Sequence, residues 1–286
     1  MTAVDRTWTS TGDNDWGTAG NWTPTGVPGA SDTAFIVSGS VDIDGAGGVE
    51  TGVTRIVVGP QYTGTIGSAD DNLEISVSAE LDYGGRGTTA HLQGTYPTLT
   101  VQDTSSGTDA LNLYDSDIAT LRIVGGRGTI NIDTDCTITS AIEQIGADSV
   151  TTILANGVTV TGSTLTMDSG SFTMNEAMPN ITIFGGELEL NIPLADTDTI
   201  TLLEMYDGQV RFNTAGASTI TQLTMYGGRF YSTESTAATF TITSCLLHEG
   251  AVLDERSGLR NIVFTNPIQM EGGEIKYDVG REITIT

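Results

Sequence analysis

Apolar and polar residues alternate in short runs along most of the chain, and the runs break at glycine-containing turns before resuming. A period of two is the mark of strands with one buried face. The clearest runs are LEMYDGQVRF (Leu203 to Phe212) and LTMYGGRFYS (Leu223 to Ser232), one phrase written twice. The same phrase precedes them as ITIFGGELEL (Ile181 to Leu190) and follows them as CLLHEGAVLD (Cys245 to Asp254) and IQMEGGEIKY (Ile268 to Tyr277). Aligned on the second turn glycine, Gly186, Gly208, Gly228, Gly250 and Gly273, the copies are spaced 22, 20, 22 and 23 residues apart.

Each copy contributes to the same columns. Ile181, Leu203, Leu223, Cys245 and Ile268 form one, and Ile183, Met205, Met225, Leu247 and Met270 the next. After the turn come Leu188, Val210, Phe230, Val252 and Ile275, while Phe184, Tyr206, Tyr226, His248 and Glu271 stand just ahead of it. Weaker copies lie upstream, in LRIVGGRGTINI and LTMDSGSFTM, and the register between Ser140 and Gly162 is not set by the pattern. A period near 21 without a helical pattern excludes the helical repeats. The missing LxxLxLxxN signature excludes leucine-rich repeats, and a propeller blade needs about twice this length. The pattern predicts an all-β, single-stranded parallel β-helix, a solenoid of roughly 20–23 residue coils over residues 53–286. Residues 1–52 form an N-terminal Trp-rich cap or arm with lead-in strands.

Columns also decide single residues. Cys245 fills a slot used elsewhere by Leu and Ile, which makes it a buried structural thiol. His248 replaces Tyr in a corner stack of Phe184, Tyr206 and Tyr226, which makes it a stacking residue. His91 has no partner identifiable in the sequence.

Composition agrees with strands and turns. Charged residues are 16% of the chain, and 36 glycines in 286 residues is about 13%, against a usual ~7%. The 36 acids outnumber the 11 bases, for a net charge of -25. Such a surface repels phosphate, so neither nucleic acid nor an anionic membrane is expected as a partner. The start, MTAVDRTWTSTGDND, has no apolar core of a signal sequence, and no apolar run is long enough to span a membrane. Two isolated cysteines suggest neither a disulfide framework nor a zinc site.

All three tryptophans, Trp8, Trp16 and Trp22, fall in WTSTGDNDWGTAGNWTPTGVPGASDTAFI. The order Trp, DWGTAGNW, VPGASD, TAFI resembles the lead-in found before β-helical repeats in bacterial surface proteins and in tailed-phage virion proteins. It covers residues 6 to 37. For phage relatives the resemblance implies a structural protein, commonly trimeric. Surface relatives normally carry a secretion signal or a long passenger, so the expected setting is a virion assembled in the host cytoplasm, with the cell surface as the alternative.

Catalytic chemistry is not expected. Acids near the turns, Asp207, Glu249, Asp254, Glu271 and Glu274, occupy positions where other copies carry Gly, Ser or Tyr, as solvated corners do. No phosphate loop, HExxH or GxSxG occurs. No cofactor is expected. SADDN (Ser68 to Asn72), DIDG (Asp42 to Gly45) and DTD (133–135, 196–198) could offer oxygens to calcium but match no calcium-loop pattern. The terminal REITIT reads as a strand with Ile283 and Ile285 on one face, and with the three tryptophans these are the candidate interface residues. The expected protein is a homotrimeric capsid decoration or cement protein that contacts the major capsid protein or another virion protein. A glycan-binding fibre, spike or adhesin is the alternative, and a polysaccharide-degrading β-helix a further one.

Overall fold

The computed structural model describes residues 2–10, 13–44, 52–87, 89–104, 110–160, 162–191, 199–213, 217–232, 240–255, 262–276 and 283–285. Strands make up 60% of the chain and helix about 1%, and the strands wind as a parallel β-solenoid. The chain divides into two compact units, Met1–Thr152 and Ile153–Thr286.

In the second unit the predicted columns are real neighbours. Strands Thr164–Met167, Asn180–Ile183, Thr199–Met205, Ser218–Met225 and Phe240–His248 pair in parallel, each with the strand one turn away. Leu165, Ile181, Leu203, Leu223 and Cys245 stand in one file, and Met167, Ile183, Met205, Met225 and Leu247 in the next. All ten are buried, as alternation requires of the face turned into the coil. Phe212, Phe230 and Phe240 fill the interior with stacked rings, Phe212 and Phe240 at 4.2 Å between centroids.

The turn between the two files of strands explains its glycines. Gly186, Gly208 and Gly228 have φ of 83°, 81° and 73°. A Cβ on Gly208 would lie 2.6 Å from the Gly186 carbonyl oxygen, and one on Gly228 2.7 Å from that of Gly208. Left-handed backbone and stacked turns in close approach both demand glycine.

Three sequence expectations are corrected at the far end of this unit. Leu253, not Val252, pairs with Phe230 and is buried, because Ala251 adds a residue to the turn after Gly250. In the last copy the left-handed turn residue is Gly272 (φ 100°), not Gly273. Met270 pairs with Leu247 as predicted, yet it is 51% exposed, since no strand among the described residues pairs with Gln269–Glu271 on its other side.

The first unit stacks the same way with longer strands. Ala34, Ile56, Leu81, Leu99, Leu121 and Ile142 form one buried file. Its companion runs Ile36, Val58, Tyr83, Val101, Ile123, Gln144. Gln144 is fully buried, and the Thr152 hydroxyl donates to its Oε1 at 2.7 Å, so the polar group is satisfied inside the coil. The strand of the first coil, Thr33–Gly39, pairs in parallel with both Asp5–Trp8 and Val53–Tyr62.

Candidate functional site

Two features depart from plain stacking: the Trp-rich start and the corner ahead of the glycine turns. At the start, Asp5–Trp8 lies against Thr33–Gly39 on one side and antiparallel to Trp22–Thr23 on the other, with Trp8 opposite Trp22. Trp22 meets Trp8 at 5.1 Å and Trp16 at 4.7 Å, both edge to face, and its indole N–H donates to the Trp16 carbonyl at 2.9 Å. The three rings are 4%, 0% and 1% exposed for Trp8, Trp16 and Trp22. They are therefore structural, and their indoles are enclosed by this chain rather than offered to another.

The polar letters of the motif hold this cap shut. Asn21 is buried and donates through Nδ2 to the Asp13 carbonyl (3.0 Å), Asp13 Oδ1 (2.6 Å) and the Asp15 carbonyl (2.8 Å). Its own carbonyl accepts from the Thr9 and Ser10 amides. Asp32 of VPGASD accepts from the amides of Val4 (2.8 Å) and Gly29 (2.9 Å) and from Arg6 Nε (3.2 Å). The Gly29 amide, with the Val4 amide and the Arg6 guanidinium, outweighs desolvation and holds the Asp32 carboxyl below its ordinary range.

At the corner, Phe184, Tyr206, Tyr226 and His248 form a continuous stack. Centroid separations are 4.8, 4.7 and 4.7 Å, with interplanar angles of 20°, 17° and 10°. The strand repeat sets this spacing, because each ring rides one rung of the sheet. Phe184, Tyr206 and Tyr226 are 49%, 41% and 41% exposed, so the predicted stack stands on the outside of the coil. Glu271 closes it, with Oε2 3.1 Å from His248 Nδ1. Each ring covers its neighbour's face, which leaves the ring edges to face solvent. A sugar that stacks on an aromatic face finds none free in the middle of this ladder.

Beside the ladder a groove of about 320 Å³ runs over Gly208 and Gly228 and is lined by Asp207, Gln209, Arg229, Tyr231 and Val252. Arg211 and Arg229 approach the Tyr231 ring at 6.0 and 5.4 Å, Arg229 Nη1 donates to the Tyr231 hydroxyl at 2.9 Å, and Arg211 pairs with Glu187. Arg211 pairs with Tyr231 one rung away, and the meeting of Arg229 with its own i+2 neighbour has no signal in the sequence.

Other candidates resolve individually. Cys136 and Cys245 are buried, and desolvation pushes their thiols up to about 11 and about 12, so both are inert in the fold. His91 does have a partner: it stacks on Tyr114 at 5.8 Å, with Nδ1 3.3 Å from the hydroxyl. Asp254 is buried rather than a solvated corner, although it pairs with the outward Tyr231 one rung away. DIDG and SADDN are brought together through Asp44 and Asp71, where desolvation and the Asp44 carboxylate raise Asp71. DTD at 133–135 is a turn in which Asp133 Oδ1 accepts from the Thr134 amide, and DTD at 196–198 lies outside the described residues. Among the described residues no three or more His, Cys, Asp or Glu gather as a metal would need. Ile283–Ile285 pairs in parallel with Ile262–Phe264, and the side chains of Ile283 and Ile285 lie outside the described residues. Among the described residues no helix is long and apolar enough to cross a membrane. The chain matches no protein-family model, no curated protein and no solved structure.

Proposed function

We propose that the chain is a non-enzymatic structural protein of a tailed-phage particle, a homotrimeric decoration or cement protein seated on the head against the major capsid protein or another virion protein. One observation carries the reading: the residues of the lead-in motif are spent on closing a cap. The three tryptophans pack on one another, Asn21 ties down Asp13 and Asp15, and Asp32 ties down Val4, Arg6 and Gly29, which is the work of a scaffold end. The groups whose titration the fold displaces furthest support it too. Tyr62, Tyr83, Tyr96, Cys136 and Cys245 are all interior, where desolvation raises them and no substrate reaches. The charge of -25 keeps a crowded particle surface from aggregating.

Particles that lack this protein should assemble but lose resistance to heat or osmotic shock. Unchanged particle stability with lost adsorption would move the protein to the tail. The groove that holds Arg229 and Tyr231 favours a second reading, a glycan-binding fibre or adhesin. A glycan array separates the two.

A further inference from the structure

We propose that the corner ladder is a docking seam for a second copy of this chain, and that the two copies meet antiparallel about a two-fold axis. The ladder is a comb of four ring edges at a pitch of 4.7–4.8 Å. An irregular protein surface does not repeat at that interval, whereas another copy of the ladder does by construction, so the two combs meet rung to rung along their length. With the ring faces already covered, the contact is edge against edge, and its gain is the burial of apolar ring surface.

Charge selects the orientation. The residues immediately after the rings are Gly185, Asp207, Gly227 and Glu249, and those two before the rings are Thr182, Glu204, Thr224 and Leu246, of which Thr224 is buried. Acid and neutral residues thus alternate from rung to rung on the first flank, and Glu204 is the one acid on the second. About a horizontal two-fold axis each flank faces the same flank of the second copy in reverse order. Asp207 then faces Gly227 of the second copy, Glu249 faces its Gly185, and Glu204 faces its Thr224, so each of these three flank acids meets a neutral residue. In a parallel arrangement opposite flanks meet at one level, and Asp207 faces Glu204 of the second copy. For a chain of charge -25 that juxtaposition is the costly one. The seam is therefore a dyad contact, separate from any three-fold contact of a trimer. Four rungs span only about 14 Å, too short a strip to bury the ~1,200 Å² or more of a stable interface. The association is concentration-dependent, suited to copies already held close together.

Cysteine pairing across the seam tests this. Phe184 and His248 face each other across the axis, but each lies about 14 Å from its own counterpart, beyond disulfide reach. Mild oxidation of a mixture of Phe184→Cys and His248→Cys proteins should give the mixed disulfide dimer, and neither variant alone should cross-link. The native Cys136 and Cys245 are buried and contribute no background. Because these variants each remove a ring, sedimentation of Tyr206→Ser provides the second measure, with at least a ten-fold weaker association expected. Val124→Ser, at an exposed apolar site in the first unit, should leave association unchanged. Cross-linking of either single variant with itself would overturn the antiparallel seam. Absence of any cross-link together with unchanged association of Tyr206→Ser would overturn the ladder as a contact. A species that proves dimeric rather than trimeric would refute the trimer and leave the seam standing.

Discussion

Replacing Trp22 with Ala removes the ring that both other tryptophans touch, and its cost can be worked from the cap. The side chain is 1% exposed, and truncation of a buried Trp costs about 3–5 kcal/mol. Two edge-to-face contacts, to Trp8 and Trp16, add about 0.5–1.5 kcal/mol each. The Trp16 carbonyl also loses its donor. A total of about 4–8 kcal/mol would open the cap, and a solenoid loses stability rung by rung, so the loss should begin locally. The sequence supplies the assay, because all three tryptophans are in the cap. Intrinsic fluorescence reads the cap alone, and far-ultraviolet circular dichroism reads the strands. Trp22→Ala should show red-shifted emission before any denaturant is added while most of the strand signal remains. Trp22→Phe keeps a ring but loses the indole N–H, and should lower the fluorescence-detected urea midpoint by about 1 M, from about 2 kcal/mol at an m of about 2 kcal/mol/M. Emission and midpoint unchanged in Trp22→Ala would refute the claim that these rings close one cohesive cap.

Asp32 has its folded carboxyl held low, so its contribution is fully present above the unfolded value near ~3.9 and is lost as pH falls through the folded value; Asp32→Asn should abolish that acid-limb loss in a fluorescence titration while it weakens the cap by about 2 kcal/mol at neutral pH. Gly208→Ala should cost about 2 kcal/mol or more in thermal unfolding, since φ of 81° is joined by a 2.6 Å approach to a carbonyl oxygen. Gly250→Ala, with φ of 90° and nothing within 4 Å, should cost only the conformational ~1–2 kcal/mol. Both thiols should resist a disulfide-exchange reagent at mildly alkaline pH in the folded protein and react at once in denaturant, and fast native reaction of Cys245 would contradict its burial.

Where one rung copies the next, the sequence is readable: Leu203 over Leu223 over Cys245, and Met205 over Met225, follow from alternation and period alone. Legibility fails where a turn changes length. Ala251 shifts Leu253 into the file that Val252 was expected to hold, and two adjacent apolar residues leave the period no means to choose between them. It fails at the last rung, because Met270 has an inward pattern and no strand beyond it among the described residues. At the start, three tryptophans within fifteen residues are equally a sticky arm or a sealed cap by composition. Only the bonds from Asn21 and Asp32 decide for the cap. The corner ladder was legible as a stack, but its exposure was not, since Tyr and Phe at a turn satisfy either an inward or an outward corner.

The one-turn offset of the strand pairs, 22 residues between Leu188 and Val210, for example, also bears on how fast this protein folds. In 286 residues that offset corresponds to a relative contact order of roughly 0.08, in the range of helical bundles rather than of β-sandwiches. Each rung needs only the one before it, and at about 5–20 residues per second the ribosome delivers a rung every few seconds. The tryptophan cap precedes the rungs in the chain and offers them an edge, so the coil can be laid down during synthesis and never waits for a distant partner.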